Sequence, residues 1–167
     1  MKNCVKNYFE PCVRRKGLDL RTLPIVHSID DAPEPPFIYL ENTCSKTPWY
    51  TSFVKVPPNA DALYLGISEW SLAPNNMYGT RGTSVYTEYD KETVRIYNML
   101  STHAILVMTH KWKENMKKSK ELVMYMDTHN VYALYKPLYY QDPSKGGQDG
   151  TLLTFGSIPK NKSNKIA

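Results

Sequence analysis

The sequence predicts an all-β protein, an antiparallel sandwich or barrel of about eight strands behind an extended amino-terminal arm. Three observations predict it. Apolar and polar residues alternate in short runs from residue 37 to residue 156. Turn residues separate those runs at fairly even spacing, and no window shows a clear helical period. Thirteen tyrosines, each with an apolar body and a polar tip, suit half-buried sheet faces and subunit contacts.

The elements follow in chain order. Residues 1–36 read as the arm, because Pro11, Gly17, Pro24, Pro33, Pro35 and Pro36 bar any long helix. The β-domain spans residues 37–158 and begins with Phe37–Leu40. From Trp49 to Val56 the chain alternates, with Tyr50, Ser52, Val54 and Val56 on one side and Trp49, Thr51, Phe53 and Lys55 on the other. Further strands are expected at 63–67, 85–89, 93–99, 104–112, 122–126, 131–140 and 151–155. Asp90-Lys91 is a candidate hairpin turn. Residues 73–76, 79–82 and 142–150 carry loop chemistry. Residues 159–167 form a Lys/Asn/Ser-rich tail. A single jelly roll is the foremost form of this pattern.

Charge is unevenly placed. Residues 1–24 carry six Lys/Arg against two acids. Residues 25–90 carry three bases against eight acids, and residues 91–167 twelve bases against six acids. A basic–acidic–basic chain points to contact between copies or to a polyanion; a solvated surface with chance asymmetry accounts for it equally well. Three cysteines, Cys4, Cys12 and Cys44, make an odd set with no C-x-x-C pair. That pattern suits free thiols in an intracellular reducing compartment. The longest purely apolar run, Ala104–Met108, falls far short of the ~20 residues a spanning helix needs. No membrane partner is expected.

Catalytic signatures do not emerge. His27, His103, His110 and His129 lack the spacing of zinc ligands, and Asp127 with His129 reads as a turn pair before an acid–base pair. No G-x-S-x-G, Walker or G-x-G-x-x-G pattern occurs. The expectation is a non-enzyme with no cofactor. Two basic groups are candidate nucleic-acid contacts. One is Arg14, Arg15 and Lys16 in the arm. The other is Lys111, Trp112, Lys113, Lys117, Lys118 and Lys120, where an indole interleaves with charge. The competing reading of the second group is a loop or helical turn whose lysines keep an edge soluble.

The stretch Glu121–Asp142, ELVMYMDTHNVYALYKPLYYQD, resembles the late strand pair of jelly-roll coat proteins from small DNA viruses. The arm with Arg14-Arg15-Lys16, the Pro- and Asn-rich loops and the Tyr-rich strands are similar in style. The resemblance covers about a fifth of the chain. It implies a capsid subunit found in the virion, copies of itself as partners in a symmetric assembly, and packaged nucleic acid as a second partner. This arm is only mildly basic, which departs from many such coats. Two other functions fit the sequence: a monomeric, cytoplasmic β-barrel that binds a small apolar ligand with Trp49, Trp70 and several Tyr, and a nucleic-acid-binding β-module centred on Lys111–Lys120.

Overall fold

A computed structural model describes residues 16–70, 84–147, 154–158 and 160. Arg14, Arg15, Cys4 and Cys12, the loops at 73–76 and 79–82, most of the expected strand 151–155 and nearly all of the tail lie outside the described residues.

The architecture is mainly β, with eleven strands and one α-helix among the described residues. The strands are β1 (Lys16–Asp19), β2 (Ile25–Val26), β3 (Phe37–Leu40), β4 (Cys44–Lys46), β5 (Phe53–Val56) and β6 (Ala62–Tyr64). They continue with β7 (Tyr86–Glu88), β8 (Thr93–Ile96), β9 (Ala104–Val107), β10 (Val131–Leu134) and β11 (Tyr139–Gln141). The helix α1 spans His110–Lys118. Seven strands form one sheet in the order β2-β3-β9-β6-β10-β8-β7. Two short ribbons, β1–β5 and β4–β11, pair separately. The large sheet is mixed rather than antiparallel throughout: β2 runs parallel to β3, and β6 parallel to β10.

Register explains the layering. Ile38, Leu106, Leu63 and Tyr132 are opposite one another across β3, β9, β6 and β10. They face a core shared with Leu20, Cys44, Val54, Val56, Leu138 and Tyr139 of the segments that form and flank the ribbons. The next row, Phe37, Val107, Ala62 and Val131, faces the other way. It packs with Trp112 of α1, Leu122, Val123, Met126 and Phe155. Both faces of the central strands are therefore covered, and β9 and β10 are buried at every residue. A strand buried on two sides needs an unbroken apolar run, and Ala-Ile-Leu-Val and Val-Tyr-Ala-Leu supply it.

Three sequence expectations change in detail. The run expected as a strand over 104–112 ends at Val107, and α1 begins at His110. Thr109 caps the helix, its Oγ1 accepting from the Trp112 amide at 3.3 Å. The Lys, Glu, Asn and Met residues after it are mostly good helix formers, so the cap overrides the weak alternation. The strand expected at 122–126 is a 3-10 turn, Leu122–Tyr125. Leu122 and Met126 are buried while Met124 between them is 49% exposed, so the burial does not follow a two-residue period. The long strand expected at 131–140 divides into β10 and β11 around Pro137. The hairpin at Asp90-Lys91 is present: β7 and β8 pair antiparallel, and Asp90 Oδ1 accepts from the amides of Glu92 (2.9 Å) and Thr93 (3.0 Å).

The described part of the arm lies against its own domain. β1 pairs with β5 along four residues, and Leu20 is buried in the core. Pro24 accepts from the Ile38 amide at 2.9 Å, which seats β2 beside β3. The core thus reaches back beyond Phe37, to Leu20.

Candidate interaction groove

Of the two candidate basic groups, the members of the second, Lys111–Lys120, do not all face solvent. Arg14 and Arg15 lie outside the described residues, and Lys16 opens β1 opposite Val56. Trp112 is 0% exposed, its ring packed edge-on against Tyr125 and His129. The expectation that its indole stacks on a base is corrected by this burial. Lys113 is also inward: its Nζ donates to Ala32 O at 3.0 Å and Pro33 O at 3.1 Å, which ties α1 to the Ile29–Asp31 turn region. Lys111 is exposed, with Nζ 4.0 Å from Asp61 Oδ1. Lys117 pairs with Glu114 at 3.8 Å, and Lys118 and Lys120 face solvent. Helical geometry is the cause. A period of 3.6 residues turns Trp112 into the core and spreads the lysines around the rest of the helix.

Each histidine has its own set of neighbours. His27 Nδ1 lies 2.6 Å from Leu40 O. His129 contacts Tyr125 O and Thr128 Oγ1 through Nδ1 and Asn115 through Nε2. His110 sits between Glu34 and Glu114 at 3.3 and 3.5 Å. His103 is buried next to Gly66, where a β-carbon would lie 2.5 Å from its Nε2. Among the described residues no three His, Cys, Asp or Glu side chains converge in a metal-binding group. Cys44 is a buried free thiol, and burial pushes its pKa up to about 12. It is a packed side chain with little nucleophilic character at neutral pH.

A different feature stands out. A groove of about 550 Å³ runs between β5 and the chain around the β8 and β10 ends. Trp49, Phe53, Leu134, Tyr135 and Leu138 form its apolar surface, and Lys55, Lys91, Glu92 and Lys136 rim it. Its floor is held firmly. Thr47 Oγ1 donates to Pro137 O at 2.9 Å, and Trp49 Nε1 donates to the same oxygen. The Tyr135 amide donates to Glu92 O at 2.8 Å, which joins the groove wall to the β7–β8 turn carrying Lys91. Phe53 is 56% exposed, unusual for the largest apolar side chain on a four-residue strand. Its ring lies over Gly17 of β1, so close that a β-carbon there would come within 2.5 Å of Cζ. The glycine leaves room for the ring to lie flat along the ribbon.

The sequence contained part of this surface. Trp49, Thr51, Phe53 and Lys55 share one side of the alternating run at 49–56, and all four line the groove. The opposite wall was not legible, because Lys91 and Tyr135 reach it only through the pairing of β8 with β10.

A second, polar cleft of about 540 Å³ is lined by Glu41, Ser68, Glu69, Ser101, Thr102 and Gln141. Burial raises the Glu41 carboxyl above its ordinary range, opposed by a hydrogen bond from Gln141 Nε2 at 3.2 Å. Glu69 and Gly147 of the cleft lie at or next to the ends of described segments. No helix among the described residues is long and apolar enough to cross a membrane. No family model matches the chain, and no curated protein or solved structure matches it.

Proposed function

We propose that this chain is a structural subunit that associates with copies of itself, in the manner of a viral coat or shell protein. The observation that carries the reading is the groove at Phe53: a half-exposed aromatic ring on an apolar surface with a charged rim. Exposed aromatic anchors surrounded by polar groups are the usual anatomy of a protein–protein contact. The uneven charge along the chain adds electrical complementarity between copies. The jelly-roll coat proteins are the functional analogy, with the large sheet and its two ribbons supplying packed β-layers. The virion, a symmetric assembly and packaged nucleic acid belong to the same proposal.

Sedimentation and electron microscopy of the purified full chain test it. At micromolar concentration near neutral pH, the protein is expected to sediment as large assemblies. The Phe53→Ser variant is expected to fold and to sediment as small species. A full-length protein that stays monomeric overturns the reading and favours a ligand-binding β-protein.

A further inference from the structure

The Lys91 wall of the groove lies beside β8, and the large sheet has an exposed edge of the opposite charge at β2. β2 is the first strand in the order and β8 the sixth, so about 24 Å of sheet separates them at ~4.8 Å per strand. At the β2 edge Ile25 is 49% exposed, and β3 is the sole partner of β2 among the described residues. Asp30 and Asp31 follow on an exposed turn, and Glu34 lies just beyond, with His110 at 3.3 Å. One surface therefore presents an apolar groove with the exposed lysines Lys91 and Lys136 on its rim. The other presents an exposed apolar side chain beside exposed carboxylates.

We infer that the groove at Phe53 receives the β2 edge of a second copy, with Lys91 and Lys136 facing that copy's Asp30 and Asp31. The inference rests on the self-association reading above and names the surface it uses. Ile25 of the incoming copy meets the Phe53–Tyr135 surface, while the charges around it set orientation. Glu92 is the one acid on the groove rim, so the rim keeps a positive balance over Lys55, Lys91 and Lys136. Two different patches joined in this way make a head-to-tail contact. Such contacts close into rings when the rotation permits and otherwise extend into open chains. A contact steered by exposed charges weakens with salt, because the screening length falls from about 8 Å at 0.15 M to about 3 Å at 1 M.

Charge reversal on the full-length chain tests the pairing. Lys91→Glu with Lys136→Glu makes one variant; Asp30→Lys with Asp31→Lys makes the other. All four sites are exposed, so both variants are expected to keep the wild-type circular dichroism and melting temperature. Each alone then presents like charges across the contact, and sedimentation is expected to show association weakened about tenfold or more. Mixed in equal amounts, they present opposite charges at every junction, and assembly is expected to return. Loss without recovery on mixing overturns the pairing. A groove that meets another groove instead keeps like charges across the contact in the lysine-reversed variant and is indifferent to Asp30 and Asp31, so association left unchanged by the Asp30/Asp31 reversal also overturns it. So would a groove that binds a fluorescent oligothymidylate in low salt through Lys91 and Lys136 while the Asp30/Asp31 reversal leaves assembly intact. If the wild-type chain assembles, Phe53→Ser disperses it and neither reversal matters, the self-association reading stands and the β2 edge is excluded. A monomeric wild-type chain removes both.

Discussion

β9 and β5 are strands of equal length with opposite surroundings. Ala104–Val107 lies between β3 and β6 and is buried at every position. Phe53–Val56 has β1 as its sole partner among the described residues and alternates exposed, buried, exposed, buried. The buried valines of β5 hold the ribbon to the core, while Phe53 and Lys55 project to the groove. The first strand has no surface left for recognition. The second gives up half its side chains to stability and keeps half for contact. The cost of changing a residue should follow that division, with core positions moving stability and groove positions moving association.

The largest effect is expected from Trp112→Ala. This side chain is fully buried where α1 meets the sheet, and truncation should cost about 3–5 kcal/mol in urea unfolding. A loss below 1 kcal/mol would mean that the lysine-bearing helix is not anchored by its tryptophan. Leu106→Ala tests β9 directly, since Leu106 sits opposite both Ile38 and Leu63. A loss of about 2–5 kcal/mol is expected there.

Asp61→Ala is intermediate. Asp61 is buried; its Oδ1 accepts from Thr109 Oγ1 at 2.8 Å and its Oδ2 from the Asn130 amide at 2.9 Å. Removing the carboxylate strips those donors of a partner, and a cost of about 1–3 kcal/mol is expected. Phe53→Ser should change unfolding free energy by only about 0.5 kcal/mol or less, as surface substitutions do. A large stability loss there would make Phe53 a core residue in disguise and erase the contrast with β9.

The smallest effect concerns Glu41. Its carboxyl is raised mainly by burial, so the folded state holds the proton more tightly than the unfolded chain. Rising pH between the ordinary carboxylate value and the raised one therefore erodes stability. Glu41→Gln removes that slope. Melting temperatures of the variant and the parent should converge near pH 4 and separate toward pH 7, with the variant the more stable. The separation should be small, because Glu41 is only half-buried and water screens it. An opposite order at pH 7 would show that the Gln141 hydrogen bond outweighs burial.

What the sequence determined by itself was local. Alternation at 49–56 placed Phe53 with Lys55 and Val54 with Val56, because successive side chains on a strand point to opposite faces. The run Phe37–Leu40 coincides with β3, and Asp90-Lys91 marked a true turn, because an aspartate side chain closes its own backbone. Other features needed residues far apart in the chain. α1 was hidden because its inward residues read equally well as the end of an alternating strand. The mixed order β2-β3-β9-β6-β10-β8-β7 depends on which apolar runs find each other, and local periodicity carries no pairing information. The groove has one wall from β5 and one from the chain around Glu92 and Tyr135, so only the tertiary structure brought its lysines and aromatics together. Trp112 makes the same point in reverse. Its lysine neighbours marked it as a surface residue, and the helix turned it into the core, because burying a large indole stabilises the fold more than leaving it beside charge in water.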